Sequence, residues 1–301
     1  MRSPSVHVQV VVYDNDVAQL GRLARGTAAA LRAAVAADVI ERVTVAIGDC
    51  SANPSLDAAD LMSLTDGFVG TLHDHFTYEH FGANLGSGGG SNRLSASTDA
   101  DLIWILNPDT YPSPSALTHL VAAVAPDGVG AADARQLPIE HPKGFDPATG
   151  EAAWVSGACM LVQRSAALAV DGFDDHFFPM YCDDVDFSWR LRLDGWTVAH
   201  APLAAVFHDK RLDTDGRPAA SDFEHGSGLL SRLFLAHRYG RPDVVDATLA
   251  WAVNSDLEAH HTALAEYRRR LADGDVPITL DGAERVADLD NAYYGPARFS
   301  Y

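Results

Sequence analysis

Asp183, Asp184 and Asp186 fall within four positions, where an aromatic-rich loop starting at Gly172 should turn into a helix that runs towards Arg190. Three carboxylates so close repel one another unless a helix N-terminus, a cation or a polar substrate offsets the repulsion. A loop that tolerates such repulsion is a candidate active site. Paired carboxylates can move apart in pKa, so that one of them accepts a proton near neutral pH and acts as a general base. Helix capping is the plain alternative, because Asp is a good N-cap. One Asp suffices for a cap, which leaves the other two unexplained.

Three further features could do chemistry. Asn107-Pro108-Asp109 follows an apolar stretch, and its carboxylate could hold a divalent cation together with substrate phosphates; the same residues are common turn formers. His208 precedes Asp209-Lys210-Arg211 and could be a metal ligand through a neutral imidazole nitrogen, or a surface residue. Asp49 could accept a hydrogen bond from a nucleobase or ribose, or form a strand-end Asx turn. The glycine-rich run from Asn84 to Asn92 matches neither a dinucleotide fingerprint nor a Walker loop; it could bring backbone close to a nucleotide or be a flexible loop. Arg268-Arg269-Arg270 reads as a solvated helix face.

The elements that must position these residues alternate. Val6–Tyr13, Val43–Ile47, Phe68–Leu72 and Leu102–Leu106 read as strands, with a helix over 17–37, a short one opening at Asn92–Ala96 and another over Ser113–Val124. Such alternation predicts an α/β fold with a parallel sheet covered by helices on both faces, and ligands at the carboxyl ends of the strands. The polar clusters at 14–16, 49–51 and 107–109 lie at those ends. Further on, 136–151 reads as a loop, Gly157–Val162 as a strand, Asp184–Leu193 as a helix, Trp196–Ala199 and Ala204–Phe207 as short strands, 210–224 as a mobile loop, and 225–273 as helical.

The chain has 301 residues, 47% of them hydrophobic, which suits one or two domains. A formal charge of -19 argues against a nucleic-acid partner, since phosphate contacts need clustered Lys and Arg. An anionic small molecule would need a local cation to offset the surrounding field. Three cysteines without a CxxC pair support neither a zinc cluster nor a disulfide framework, so a reduced, cytoplasmic compartment fits. The N-terminal apolar run is of strand length without a cleavage site, and no stretch approaches the ~18 apolar residues of a membrane span. Peripheral contact with the inner face of a membrane stays open.

In order along the chain, these pieces resemble family 2 glycosyltransferases of the GT-A fold, closest to the rhamnosyltransferase-like branch. The resemblance rests on Val8–Tyr13, Asp49, Asn84-Leu85-Gly86 with Asn92, Leu106–Thr110, Trp154–Ala158 with Arg164, Gly172–Phe178, Asp183–Asp186, Arg192–Trp196 and His208, and covers about residues 6–210. It implies a nucleotide-diphospho-sugar transferase with a mostly parallel central sheet. The glycosyltransferase domain would span 1–215, with a nucleotide-binding half over 1–110 and an acceptor and catalytic half over 111–215. A C-terminal helical extension, open to an acceptor or homodimer role, would follow over 216–301.

By the same resemblance Asp184 is the catalytic base, and Asp109 and His208 hold Mg2+ or Mn2+. Tyr13, Asp49, Asn84, Gly86, Asn92, Asn107, Trp154, Ser156, Gly157 and Asp183 line the substrates. Asn107 stands where the family's first metal-binding acid is usual, and Asp183 where a Glu precedes the base. The implied reaction is inverting transfer from a sugar nucleotide, dTDP-rhamnose first and UDP-galactofuranose second, to a glycan or lipid-linked acceptor. A nucleotidyltransferase would want a basic loop, yet Tyr13–Leu20 has no Lys or Arg. A non-catalytic binding protein would have no need of a base.

Overall fold

The computed structural model describes residues 2–69, 75–210, 212, 214, 219–289 and 294–299. Strand β1 (Ser5–Val12) is buried on both faces: Val6, Val8, Val10 and Val12 point into one apolar cluster, while His7 and Gln9 are buried on the other side. A strand closed off on both sides requires helices above and below. Its parallel neighbours are β2 (Arg42–Asp49) and β4 (Leu102–Leu106), and β3 (His75–His80) extends the sheet beyond β2. On the other flank lie β7 (Cys159–Gln163), β6 (Val129–Leu137), β8 (Thr197–His208) and β5 (Thr110–Pro112), giving the order β3-β2-β1-β4-β7-β6-β8-β5. Four of the seven neighbouring pairs are parallel, so the sheet is mostly parallel; β7 and β5 supply the antiparallel joins.

Helices α1 (Val17–Ala36), α2 (Ala58–Val69) and α4 (Ala116–Val124) cover one face through Leu20, Leu23, Leu64, Phe68, Leu117 and Leu120. Helices α3 (Gly86–Ser95), α5 (Arg164–Ala169) and α6 (Asp183–Leu193) pack on the other, where the Gln9 amide donates to Ser95 Oγ at 2.9 Å. Helices α7 (Asp222–Arg238), α8 (Pro242–Val253) and α9 (Glu258–Ala272) follow. They share a second cluster with α6, in which Trp189, Phe234, Tyr239 and Tyr267 are fully buried. Each such side chain stabilises the packing by roughly 1.5–3 kcal/mol. Ser221 and Glu224 form a reciprocal capping box that fixes where α7 begins.

Several expected elements differ. Phe68 belongs to α2, not to a strand, because Leu61, Leu64 and Phe68 continue one helical face; Leu72 lies outside the described residues. The third strand is β3, whose Phe76 stands 6.0 Å from Phe68. The glycine run opens α3 instead of preceding a helix at Asn92. Tertiary contact overrides its poor helix propensity: a Cβ at Gly90 would lie 2.8 Å from Val11. At Gly86, with φ +71°, a Cβ would lie 2.0 Å from the Pro179 carbonyl oxygen. Strand β6 has no counterpart in the sequence expectation, and the two short strands near 200 join into β8. The helical stretch after 225 breaks at Gly240 and Pro242 and again near Asn254.

Candidate active site

The three crowded acids divide. Asp186 is fully buried and paired with Arg190 at 2.7 Å and Arg238 at 2.9 Å, with the Tyr239 hydroxyl also donating to it. It ties the C-terminal helices to α6. None of the three caps the helix: the N-cap is Cys182, which makes no side-chain cap bond. Tyr181 and Cys182 are both left-handed, with φ 65° and 56°, a conformation that costs non-glycine residues on the order of 1–3 kcal/mol each. That strain sits directly before Asp183 and Asp184.

Asp183 accepts from Ser87 Oγ at 2.7 Å. Asp184 accepts from the Gly157 N–H at 3.0 Å and from its neighbour Val185 N–H at 2.8 Å. Burial, and then the adjacent Asp183 charge, push the Asp184 carboxyl up to about 7, against the pull of the Gly157 N–H and the Lys143 ammonium. Burial raises Asp183 as well. Asp184 is therefore a carboxyl poised to exchange a proton near neutral pH.

Antiparallel register brings the second pair together. Thr110 on β5 pairs with His208 on β8, so Asp109 and His208 meet at the sheet edge, with His208 Nε2 3.3 Å from Asp109 Oδ1. His208 Nδ1 donates to Gln136 Oε1 at 2.8 Å, which turns Nε2 towards the Asp109 carboxylate. Gln136 Nε2 donates in turn to Ser156 Oγ at 3.0 Å, and Ser156 precedes the Gly157 that holds Asp184. An unbroken chain of contacts thus runs from Asp184 through Gly157, Ser156, Gln136 and His208 to Asp109. The Asn107 N–H donates to the Ala158 carbonyl at 2.9 Å, anchoring the segment before Asp109 to the same loop.

The remaining expected residues occupy two places. At the carboxyl ends of β1 and β2, Tyr13 is 54% exposed beside Asp49, which is wholly buried. Asp49 accepts from Ser51 N–H, Ser55 N–H and hydroxyl, and the Tyr78 hydroxyl, all within 2.5–2.9 Å. Burial opposes its ionisation, but these hydrogen bonds hold the carboxyl down to about 2. In this conformation Asp49 organises the loop as an Asx turn and presents no free oxygen. Asn84 caps the turn into α3 through the Gly86 N–H, and Asn92 grips Phe173 by both its backbone N–H and carbonyl, each at 2.8 Å. These residues hold the 172–181 loop in place. Trp154 is buried behind Ser156, edge-on to His141 and Tyr294 and beneath the Lys143 ammonium.

Sequence reasoning missed Ser87, Asp133, Gln136, Lys143 and Lys210. Gln136 and Asp133 lie on the unexpected strand β6, where Asp133 takes the Lys143 ammonium, the Ser156 N–H and His200 Nδ1. A signal for the lysines existed: the chain has only two, and both are here. Lys210 lies within the field of both Asp109 and Asp184, while burial lowers its pKa. Among the described residues no three His, Cys, Asp or Glu side chains cluster as a ready-made metal site.

No protein-family model matches the chain. A stretch of 223 residues is 30% identical to an N-acetylglucosaminyl-diphospho-decaprenol L-rhamnosyltransferase of Mycobacterium tuberculosis, covering 58% of this chain and 71% of that protein. The chain belongs to the family 2 glycosyltransferases, in their rhamnosyltransferase-like branch. The rhamnosyltransferase WbbL of Escherichia coli K12 is 40% identical over 55 residues, 18% of this chain and 20% of its own. Among solved structures, a mannosyltransferase from Pyrobaculum calidifontis in complex with GDP-Man and Mn2+ aligns at TM-score 0.53 and 15% identity, covering 89% of this chain and 81% of its own. GalNAc-T7 with UDP, GalNAc and Mn2+ aligns at 0.60 and 11%, covering 92% and 56%. These likenesses give this glycosyltransferase its GT-A fold.

Proposed function

We propose that this glycosyltransferase moves rhamnose from dTDP-rhamnose, with inversion, to a hydroxyl of a lipid-linked glycan, assisted by Mg2+ or Mn2+. The observation that carries the reading is the contact chain from Asp184 to the Asp109–His208 pair, with Lys210 in the field of both acids. Asp184 takes the proton from the acceptor hydroxyl as that oxygen attacks the anomeric carbon opposite the leaving diphosphate. Asp183 is tied to Ser87 and Asp186 to two arginines, which leaves one carboxylate for proton transfer and suits a single displacement.

Asp109 and His208 fit a divalent cation: donors bound to one small ion at ~2.1 Å stand about 3 Å apart, close to their 3.3 Å separation. Such an ion supplies charge neutralisation to the diphosphate as the glycosidic bond breaks. Gln136 holds the His208 ring in the orientation that this requires. Exposed Tyr13 offers an aromatic face for a nucleobase beside the loop that Asp49 organises. The sugar follows the two rhamnosyltransferase relatives and the lipid-linked acceptor follows the diphospho-decaprenol substrate of the Mycobacterium tuberculosis one; no described helix is long and apolar enough to cross a membrane.

Two variants test this. Asp184→Asn is expected to lower transfer by about 10²–10⁴-fold, the usual share of a general base, while donor affinity by calorimetry is kept. Normal turnover in the purified variant removes Asp184 from the role. Asp109→Ala is expected to abolish the metal-dependent part of donor binding, and equal wild-type affinity with and without chelator removes the metal.

A further inference from the structure

Gln136, which holds His208, also lines a cavity of about 500 Å³, together with Arg135, Leu137, Glu140, His200, Pro202 and Arg298, among others. Its charge is opposite to that of the molecule. The chain carries -19 overall, yet two arginines and one imidazole face this space against a single carboxylate. Glu140 is already engaged, 3.1 Å from the Arg298 guanidinium and 3.2 Å from His200 Nε2. Behind His200, the buried Asp133 is matched by Lys143. Arg135 makes no ion pair with any described residue. Burial works against protonation of His200, but hydrogen bonds to Asp133 and Glu140 raise its pKa, adding to the positive side. A cation-rich recess in a strongly acidic protein is an anion site in search of its anion.

An apolar row starts from Leu137 of the cavity lining. Leu137 pairs in register with Phe207, and Phe207 with Tyr111, whose ring stacks on it at 5.8 Å. Leu137 is 38% exposed, Phe207 45%, and Leu203, next to the cavity-lining Pro202, 71%. Basic recess and apolar row are continuous through Leu137.

We propose that this cavity binds the diphosphate of a lipid-linked acceptor, with Arg135 and Arg298 on the phosphates and the Leu137–Phe207 row against the first isoprenoid units. The assignment rests on the reading of the chain as a transferase to lipid-linked acceptors. It adds a second phosphate site, distinct from the one that serves the donor at Asp109 and His208.

The full chain would be titrated by calorimetry with farnesyl diphosphate and with inorganic pyrophosphate, in EDTA to silence the metal site. Wild type is expected to bind farnesyl diphosphate, and Arg135→Ala and Arg298→Ala to weaken it at least tenfold. Arg32→Ala, which removes an exposed cation of α1 outside the cavity, serves as the control. Tighter binding of farnesyl diphosphate than of pyrophosphate, lost in Phe207→Ser, assigns the anion to a lipid; equal binding of the two overturns the lipid assignment. In transfer assays the ratio of KM for a diphosphate-bearing acceptor to KM for a phosphate-free glycoside should rise tenfold in Arg135→Ala. Unchanged binding and an unchanged ratio in that variant sink the proposal, even if Arg298→Ala fails to fold. Arginine-dependent binding by a chain that transfers no sugar would instead overturn the functional reading and leave the site standing.

Discussion

Asp184 draws its raised pKa from burial and from the negative charge beside it, so its neighbour is a handle on its chemistry. A base must be ionised to act, so kcat/KM should fall on the acid side with a midpoint near 7. Replacing Asp183 by Asn removes the repelling charge, and the acid limb should move to lower pH; a profile that stays in place would detach the two residues. The linkage runs the same way for stability. A carboxyl held above its unfolded value keeps its proton longer in the folded state, so folding weakens as pH rises from about 4 towards about 7. Asp184→Asn should therefore have a higher Tm than wild type at pH 8, and the gap should shrink at pH 4. The crowding of the three acids is legible in the sequence. That Asp186 is tied up in ion pairs is not legible, because its partner Arg238 lies 52 positions away.

At the scale of elements, the sequence reads well where periodicity matches burial, as in α1, and fails where tertiary contact overrides propensity. Gly88, Gly89 and Gly90 argue for a loop until Phe173, Asp175 and Val11 press against them. Gly90→Ala decides between the two influences. Alanine gains about 1 kcal/mol of helix propensity, whereas crowding Val11 costs about 1–3 kcal/mol. A lowered urea midpoint is expected; a raised one would mean that the α3–β1 contact is looser than drawn. Strand β6 escaped notice for a related reason: its Asp133 and Gln136 point inward because Lys143, His200 and His208 arrive from elsewhere to meet them.

Across the whole molecule, the proposed site draws on strands and helices far apart in sequence, and the C-terminal helices belong to the same packing as α6. The two lysines make that convergence measurable. Lys143 is sealed against Asp133 and Trp154, while Lys210 is only partly covered. An acylating reagent should therefore mark Lys210 of the native enzyme, and reach Lys143 only as the fold opens. Mass spectrometry of the labelled chain, with and without sugar nucleotide, would then report occupancy at one amine and intactness at the other, a gauge that this lysine-poor chain carries without any engineering.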